Sequence, residues 1–344
     1  MKIAVLNNAE PFVRGGAEFL ADWLTDRLRQ FGHSAILVRI PFRWNPPATI
    51  LDSMLACGMM MVPNCDRVIA LKFPAYLVPH GDKVLWLLHQ FRQAYDLWGT
   101  PLQGLPDDGH GMAIRNAIRA ADNQALSGVR IYTNSQVTSE RLMTFNGIGS
   151  EVLFPPLQAP EQYRCDSYGD FIFCPSRMNA AKRQHLLVES MRWTNTNVRL
   201  IIAGKPEGSD YLGRIESTIR RHDLHDKVTL IPEFISDEVK IGLFAEALAC
   251  AYIPWDEDSY GYVTMEAFES NKAVVTCTDS GGTDILVRNG ETGYIVPPDP
   301  QAIACVFDEL FQERRRAREM GEAGGELMHR MDITWETVID RLTA

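Results

Sequence analysis

The feature that most constrains this chain is a rhythm that runs twice. Short, nearly continuous apolar runs alternate with longer segments of helical period, stop at a proline-rich interruption, and begin again. In the first round Lys2–Asn7 reads as a strand, and Arg14-Gly15-Gly16 as a turn. A helix follows with Leu20, Trp23, Leu24, Leu28 and Phe31 on one stripe, and Gly32 stands where a glycine closes a helix. Further strands are Ala35–Ile40, Arg67–Phe73, Val84–His89 and Val129–Asn134. Strands that are apolar on both faces, with helices between them, make parallel sheets covered on both sides.

Residues 155–170 (PPLQAPEQYRCDSYGD) break the pattern and read as a linker. The second round has strands at Asp170–Cys174, Val198–Ala203, Lys227–Ile231, Ala249–Pro254 and Ala273–Thr278. Its helices are Lys182–Trp193, Tyr211–Asp223, Glu238–Leu248, Tyr262–Asn271 and a long charged helix Ala302–Gly321, and Trp335–Leu342 is a last short one. The expected fold is α/β, with two Rossmann-like doubly wound parallel-sheet domains facing a cleft. They are 1–157, with 333–344 packing back on it, and 168–332. A chain of 344 residues suits two such domains. Ligands of these folds bind outside the carboxyl ends of the strands, so the chemistry is sought there.

Three such ends carry it. The strand at 170–174 runs into Arg177 and then Lys182, which the pattern places in the first turn of the next helix. A helix N-terminus disfavours cations, and a bound anion would remove the conflict, so the pair suits a diphosphate. Read alone, it is equally a pair of solvated surface charges. After the strand at 249–254 comes an acidic loop with Asp256, Glu257 and Asp258, then Gly261, and a helix carrying Glu266. A helical carboxylate can accept both hydrogen bonds of a ribose diol, and a loop carboxylate can hold sugar hydroxyls. Gly261 permits close backbone approach, and the amides of Tyr262 and Val263 would face a phosphate. Glu266 could also be a helix surface charge, but Ala267 and Phe268 beside it point to a partly buried site that wants partners. Ser280-Gly281-Gly282-Thr283-Asp284 is a third strand-to-helix turn, and either an anion cradle or a plain turn.

In order and spacing these pieces resemble family four of the retaining glycosyltransferases, which have the GT-B fold. Gly15-Gly16-Ala17-Glu18 is similar to that family's opening glycine loop, Tyr132-Thr133-Asn134-Ser135 to its strand ending in Asn-Ser, and Val152–Pro156 to its strand before the linker. Arg177 and Lys182 match its diphosphate-binding pair, and Val198–Lys205, with Gly204, the strand and glycine turn after them. Asp258 and Glu266 match its two acids eight apart, and Gly290–Pro298 a hairpin-like stretch. The first acid is usually Glu; here the spacing favours Asp258, with Glu257 as the other candidate. Ser259 and Tyr260 replace Gly and Phe, and Ile285 stands where the Gly-Gly motif ends in an acid, with Asp284 one position early.

The resemblance implies a retaining, metal-independent transferase. It would move a sugar from a UDP- or GDP-linked donor to a hydroxyl of a glycan or lipid-linked acceptor, in cell-surface polysaccharide or lipopolysaccharide synthesis. Arg177 and Lys182 would neutralise the leaving diphosphate, Glu266 hold the ribose and Asp258 the donor sugar. Gly15, Gly16, Gly204, Gly261, Tyr262 and Val263 would complete the donor site. His89, at a strand end, matches the family's active-site histidine. No cofactor or metal is implied; His222 and His225 read as surface residues. The acceptor is expected on the first domain, whose least regular parts, 41–62 and 91–112, carry Arg43, Trp44, Arg92 and Tyr95. The methionines Met54, Met59, Met60 and Met61 could touch a lipid tail or fill core gaps. A non-catalytic nucleotide-sugar or glycan-binding protein and a nucleotide-sugar epimerase are the alternative readings. A nicotinamide dehydrogenase is disfavoured, because Asn7–Gly16 holds no G-x-G-x-x-G.

Charge and cysteine content agree with this reading. Lys and Arg number 34 against 44 Asp and Glu, a net −10, which argues against nucleic acid. The seven cysteines form no C-x-x-C pair and read as small hydrophobes in a reducing cytoplasm. The first residues read as a buried strand rather than a signal segment. The apolar stretches at 54–62 and 84–88 fall far short of the ~20 residues of a membrane span, so a cytoplasmic protein with at most peripheral membrane contact is expected.

Overall fold

The computed structural model describes residues 1–12, 15–257 and 259–344, and its chain divides into two units. Unit 1 comprises Met1–Pro156 and Ile333–Ala344; unit 2 is Leu157–Asp332.

Unit 1 is a parallel sheet of β1 (Lys2–Ala9), β2 (Ser34–Pro41), β3 (Arg67–Lys72), β4 (Lys83–His89), β5 (Arg130–Thr133) and β6 (Glu151–Val152), in the order β2-β1-β3-β4-β5-β6. Five consecutive residues of β1, β3 and β4 are buried, which is why these strands read as unbroken apolar runs. The helices are α1 (Gly16–Gln30), α2 (Thr49–Met59), α3 (Gly109–Leu126) and α4 (Gln136–Asn146). On one face Leu20, Leu24 and Leu28 of α1 join Ile3, Val5 and Trp86 in a core, each leucine contributing about 1.5–3 kcal/mol of burial. The C-terminal helix (Trp335–Thr343) closes the same core through Trp335, Val338, Ile339 and Leu342. The guanidinium of Arg67 fastens it, donating to the carbonyls of Leu342 (3.1 Å) and Ala344 (2.9 Å).

Residues 41–62 and 91–112 are more regular than their sequence suggests. In α2 only Ile50 and Cys57 are buried, while Leu51, Leu55 and Met59 face out, so exposed apolar residues hide the helical stripe. At the other segment Asp108 caps α3, its Oδ1 accepting the amides of His110 and Gly111, both at 2.9 Å. Of the methionine run, Met54 and Met60 pack on the core; Met59 and Met61 are exposed.

Inside α3, Asp122 is fully buried and accepts a hydrogen bond from the hydroxyl of Tyr95 at 2.7 Å. Burial pushes its carboxyl from 3.8 up to about 7, against that hydrogen bond. The folded chain thus keeps a proton that the unfolded chain has released, so unit 1 loses stability as pH rises through this window. Asp122→Asn is expected to flatten that slope in denaturant titrations across it; an unchanged slope would place its origin elsewhere.

Unit 2 is a second parallel sheet, of β7 (Phe171–Pro175), β8 (Arg199–Ala203), β9 (Val228–Ile231), β10 (Ala249–Ala251), β11 (Val274–Cys277) and β12 (Gly293–Val296), in the order β12-β11-β10-β7-β8-β9. Its helices are α5 (Gln184–Ser190), α6 (Ser209–Arg221), α7 (Asp237–Glu246), α8 (Tyr262–Glu269), α9 (Pro300–Gln312) and α10 (Arg314–Met331).

Three sequence expectations change here. The long helix at 302–321 is two helices, because Glu313 leaves helical geometry (φ −106°, ψ 56°) between α9 and α10. The stretch 290–298 is a turn followed by β12, which pairs parallel to β11 rather than folding as a hairpin. Residues 157–167 are a strap on unit 2 rather than a free linker: the amides of Asp166 and Ser167 donate to the Ala245 carbonyl, and Tyr163 packs on Phe244. Among the described residues no helix is long and apolar enough to cross a membrane.

Candidate functional site

At the carboxyl end of β7 the chain leaves through Ser176 and Arg177. Gly204, after β8, lies against it: a Cβ there would stand 2.0 Å from the Ser176 carbonyl oxygen, so only glycine lets the two backbones meet. The half-exposed guanidinium of Arg177 pairs with Glu207, which also accepts from Asn179 at 2.9 Å. Lys182 is not in the first turn of a helix as the sequence implied. It sits in a turn where its backbone amide donates to Asn179 Oδ1 at 2.9 Å, and α5 begins only at Gln184, after Arg183 in left-handed geometry (φ 55°). Its ammonium donates to the Tyr252 hydroxyl at 2.8 Å and pairs with the carboxylate of Glu257. Burial works against that charge, but Tyr252 and Glu257 hold the Lys182 pKa above its usual value.

Arg183 organises the loop beyond β10. Its buried guanidinium donates to the carbonyls of Ile253 (2.9 Å) and Pro254 (2.7 Å), and forks onto Asp279 with two bonds of 2.7 Å. Glu257 then bridges to the Gly-Gly turn, its carbonyl accepting the amide of Gly282 at 3.0 Å. Asp258 lies outside the described residues, and Glu257, which the eight-residue spacing passes over, is the carboxylate that meets Lys182. In the third turn the hydroxyls of Thr276 and Thr283 share a bond of 2.9 Å, while Asp284 is exposed.

Gly261 caps α8 at φ +73°, and a Cβ there would enter the Tyr252 ring at 2.4 Å. The ring that receives Lys182 therefore also sets where α8 starts, and with it the amides of Tyr262 and Val263. Gly261→Ala combines strained backbone with a clash against a buried ring, and is expected to cost about 2–4 kcal/mol of stability, read as a lowered midpoint in urea. A loss under half a kcal/mol would show that this turn rearranges freely.

About one turn into α8, Glu266 is 7% exposed. Its Oε1 accepts from the hydroxyl of Tyr163 (3.0 Å) and the ammonium of Lys240 (2.6 Å). Burial raises its pKa, opposed by Lys240 and Tyr163. Lys240 is also paired with Asp237 at 3.1 Å.

In unit 1, Gly15 caps α1, its amide donating to Glu18 Oε2 at 2.9 Å, and Gly16 begins the helix; Lys72 from the end of β3 meets Glu18 at 2.9 Å. Arg14 of the predicted turn lies outside the described residues. His89 ends β4, its Nδ1 bonded to the Gln90 carbonyl at 2.7 Å. Of the expected acceptor contacts, Arg43 is exposed and 3.7 Å from Glu10, and Trp44 stands edge-on to Phe91, 36% exposed. Two others face inward. Arg92 holds Asp96 at 2.7 Å, and Tyr95 is a core residue bonded to Asp122.

Sequence reasoning missed Arg183, Glu207, Lys240 and Tyr163 in unit 2 and Lys72 in unit 1. Arg183 follows Lys182 directly, and its position at the same strand end is a signal that could have found it. Lys240 and Tyr163 come from separate segments and reach Glu266 only through the fold.

Two doubly wound parallel sheets, with cations, glycine turns and a buried helical carboxylate at the strand ends of the second, make up the elements of a GT-B fold. Residues 159–326 match the family model of glycosyl transferases group 1. The matched stretch lies within unit 2 and covers just under half of the chain. Among solved structures it is similar to sucrose-phosphate synthase (tll1590) from Thermosynechococcus elongatus (TM-score 0.78, 16% identity, 99% of this chain and 97% of that one). It is also similar to Anabaena Alr3699/HepE in complex with UDP and glucose (0.73, 16%, 100% and 98%), and to a glycosyltransferase from Rickettsia africae ESF-5 (0.69, 17%, 99% and 99%). At these identities the likeness is one of fold. No curated protein matches the sequence.

Proposed function

We propose that unit 2 binds a nucleoside-diphosphate sugar and that the chain transfers its sugar, with retention and without a metal, to a hydroxyl of a glycan or lipid-linked acceptor held by unit 1. The observation that carries this is the coupling of Lys182 to Glu266: Lys182 meets Tyr252, the Tyr252 ring packs on Gly261, and Gly261 starts the helix that bears Glu266. One contact chain thus links a cation suited to a diphosphate with a carboxylate suited to a ribose diol.

Lys182 and Arg177 would draw off negative charge as the diphosphate departs, which is where a transferase gains most by electrostatics. Both cations face carboxylates, so an arriving diphosphate would exchange with Glu207 and Glu257 rather than meet bare charges. Glu266 would accept from the ribose, with Lys240 beside it favouring the charged form that burial opposes. A uridine nucleotide is the first donor to try, since the HepE structure contains UDP and glucose. His89 and Asp258 are proposed to act on the donor sugar, in a cytoplasmic pathway of surface-polysaccharide synthesis. In a panel of UDP- and GDP-sugars with EDTA present, nucleoside diphosphate should appear, and faster when a sugar acceptor is added. Binding without any release would favour the non-catalytic reading; interconversion of donors would favour an epimerase.

A further inference from the structure

Lys272 lies just beyond α8 and is fully buried, and among the described residues no carboxylate hydrogen-bonds to it, Asp166 acting on it only from a distance. Its ammonium donates to the sulfur of Cys165 at 3.1 Å and to the carbonyl of Ser167, and lies 4.2 Å over the ring of Tyr168. All three partners come from one stretch, 165–168. A buried ammonium without a carboxylate is costly, and here the polarisable group nearest to it is a thiol.

The other six cysteines lack this arrangement. Cys57, Cys174, Cys250 and Cys277 are buried. Burial pushes the thiols of Cys57 to about 11 and of Cys174 and Cys277 to about 12. The thiol of Cys65 donates to the Arg67 carbonyl at 2.8 Å, and Cys305 is exposed on α9. Among the described residues, Cys165 is the cysteine whose sulfur accepts a hydrogen bond from an ammonium, and it is half-buried rather than sealed. A cation on sulfur stabilises the nucleophilic form of the group.

We propose that Cys165 and Lys272 form a reactive thiol–amine pair, a modification site for hydroperoxides that closes to a covalent sulfur–nitrogen bond. In the first step the sulfur, as thiolate, attacks one peroxide oxygen. An S–O bond forms, the O–O bond breaks, and the departing hydroxide takes a proton from the Lys272 ammonium and leaves as water. Sulfur is oxidised and peroxide reduced, and a sulfenic acid now faces a neutral amine. In the second step that amine attacks sulfur, the S–O bond breaks, and hydroxide leaves as water with the amine proton, giving a sulfenamide. Burial, which lowers the Lys272 pKa, favours the neutral amine needed there. The bond would fasten the strap to Lys272 just beyond α8, and a thiol reductant would open it. The inference is independent of the sugar transfer.

The first test uses the unmodified protein. Competitive alkylation with limiting iodoacetamide at neutral pH, read by peptide mass, should label Cys165 about tenfold faster than Cys305. Equal or slower labelling would overturn the activated thiol. Brief exposure to hydrogen peroxide should then yield a 165–272 cross-linked peptide lighter by two hydrogens and restored by dithiothreitol. A stable sulfenic acid at Cys165, trapped by dimedone with no cross-link, would overturn the capture step. Lys272→Arg keeps a cation by the sulfur and removes the primary amine. It should retain oxidation at Cys165 and lose the cross-link, and a cross-link that persists in it would contradict the assignment.

Discussion

Lys182→Met is expected to lower kcat/KM for the nucleotide-sugar donor by about 10²–10³, or about 3–4 kcal/mol of transition-state stabilisation. Methionine keeps the length of the stem and removes the ammonium, which lies 5.0 Å from the centre of the Tyr252 ring and meets its hydroxyl and Glu257. The loss should fall mainly on kcat, because the diphosphate gains charge as the bond to the sugar breaks. Stability should change less, since Glu257 is partly exposed and water can solvate it once Lys182 is gone. Arg177→Ala, at a half-exposed position, should cost activity with almost no change in melting temperature. A Lys182→Met enzyme within threefold of the wild type would remove this lysine from the reaction.

Glu266→Gln is the second large effect. The amide keeps the shape and can still accept from Tyr163, but it cannot balance Lys240, which would then have only Asp237. Affinity for the nucleoside diphosphate should fall about 30–100-fold, or 2–3 kcal/mol, with a smaller loss of folding stability from the unbalanced, partly exposed ammonium. The two effects separate with a 2′,3′-dideoxy nucleotide. It should bind the wild type weakly and the variant equally weakly, because both partners of one interaction are then gone. If the dideoxy nucleotide binds the wild type as well as the ribonucleotide does, Glu266 does not hold the ribose.

Much of the fold was legible because parallel strands buried on both faces leave unbroken apolar runs, as β3 and β4 do. What escaped has physical causes. α2 buries only Ile50 and Cys57, so its period is masked by outward-facing Leu51 and Leu55. The stretch from Pro155 to Ser167 has the prolines of a linker, but the amides of Asp166 and Ser167 bond to Ala245 and Tyr163 to Glu266, partners distant in sequence. The candidate site divides in the same way. Glycines that need left-handed geometry or close approach, such as Gly204 and Gly261, mark themselves by type and place. Charge pairing does not: Lys182 with Glu257, and Glu266 with Lys240, are contacts only the folded chain makes. Tyr95 is the converse, an aromatic read as an acceptor contact whose hydroxyl is bonded to Asp122 in the core.

The most direct measurement is calorimetric titration of the intact chain with UDP and GDP, in EDTA, beside the Lys182→Met and Glu266→Gln variants. The expected result is saturable one-to-one binding of one of the two nucleotides, unaffected by EDTA and strongly weakened in both variants. No binding of either nucleotide, or binding that both variants retain, would contradict the assignment of the donor site to these strand ends of unit 2.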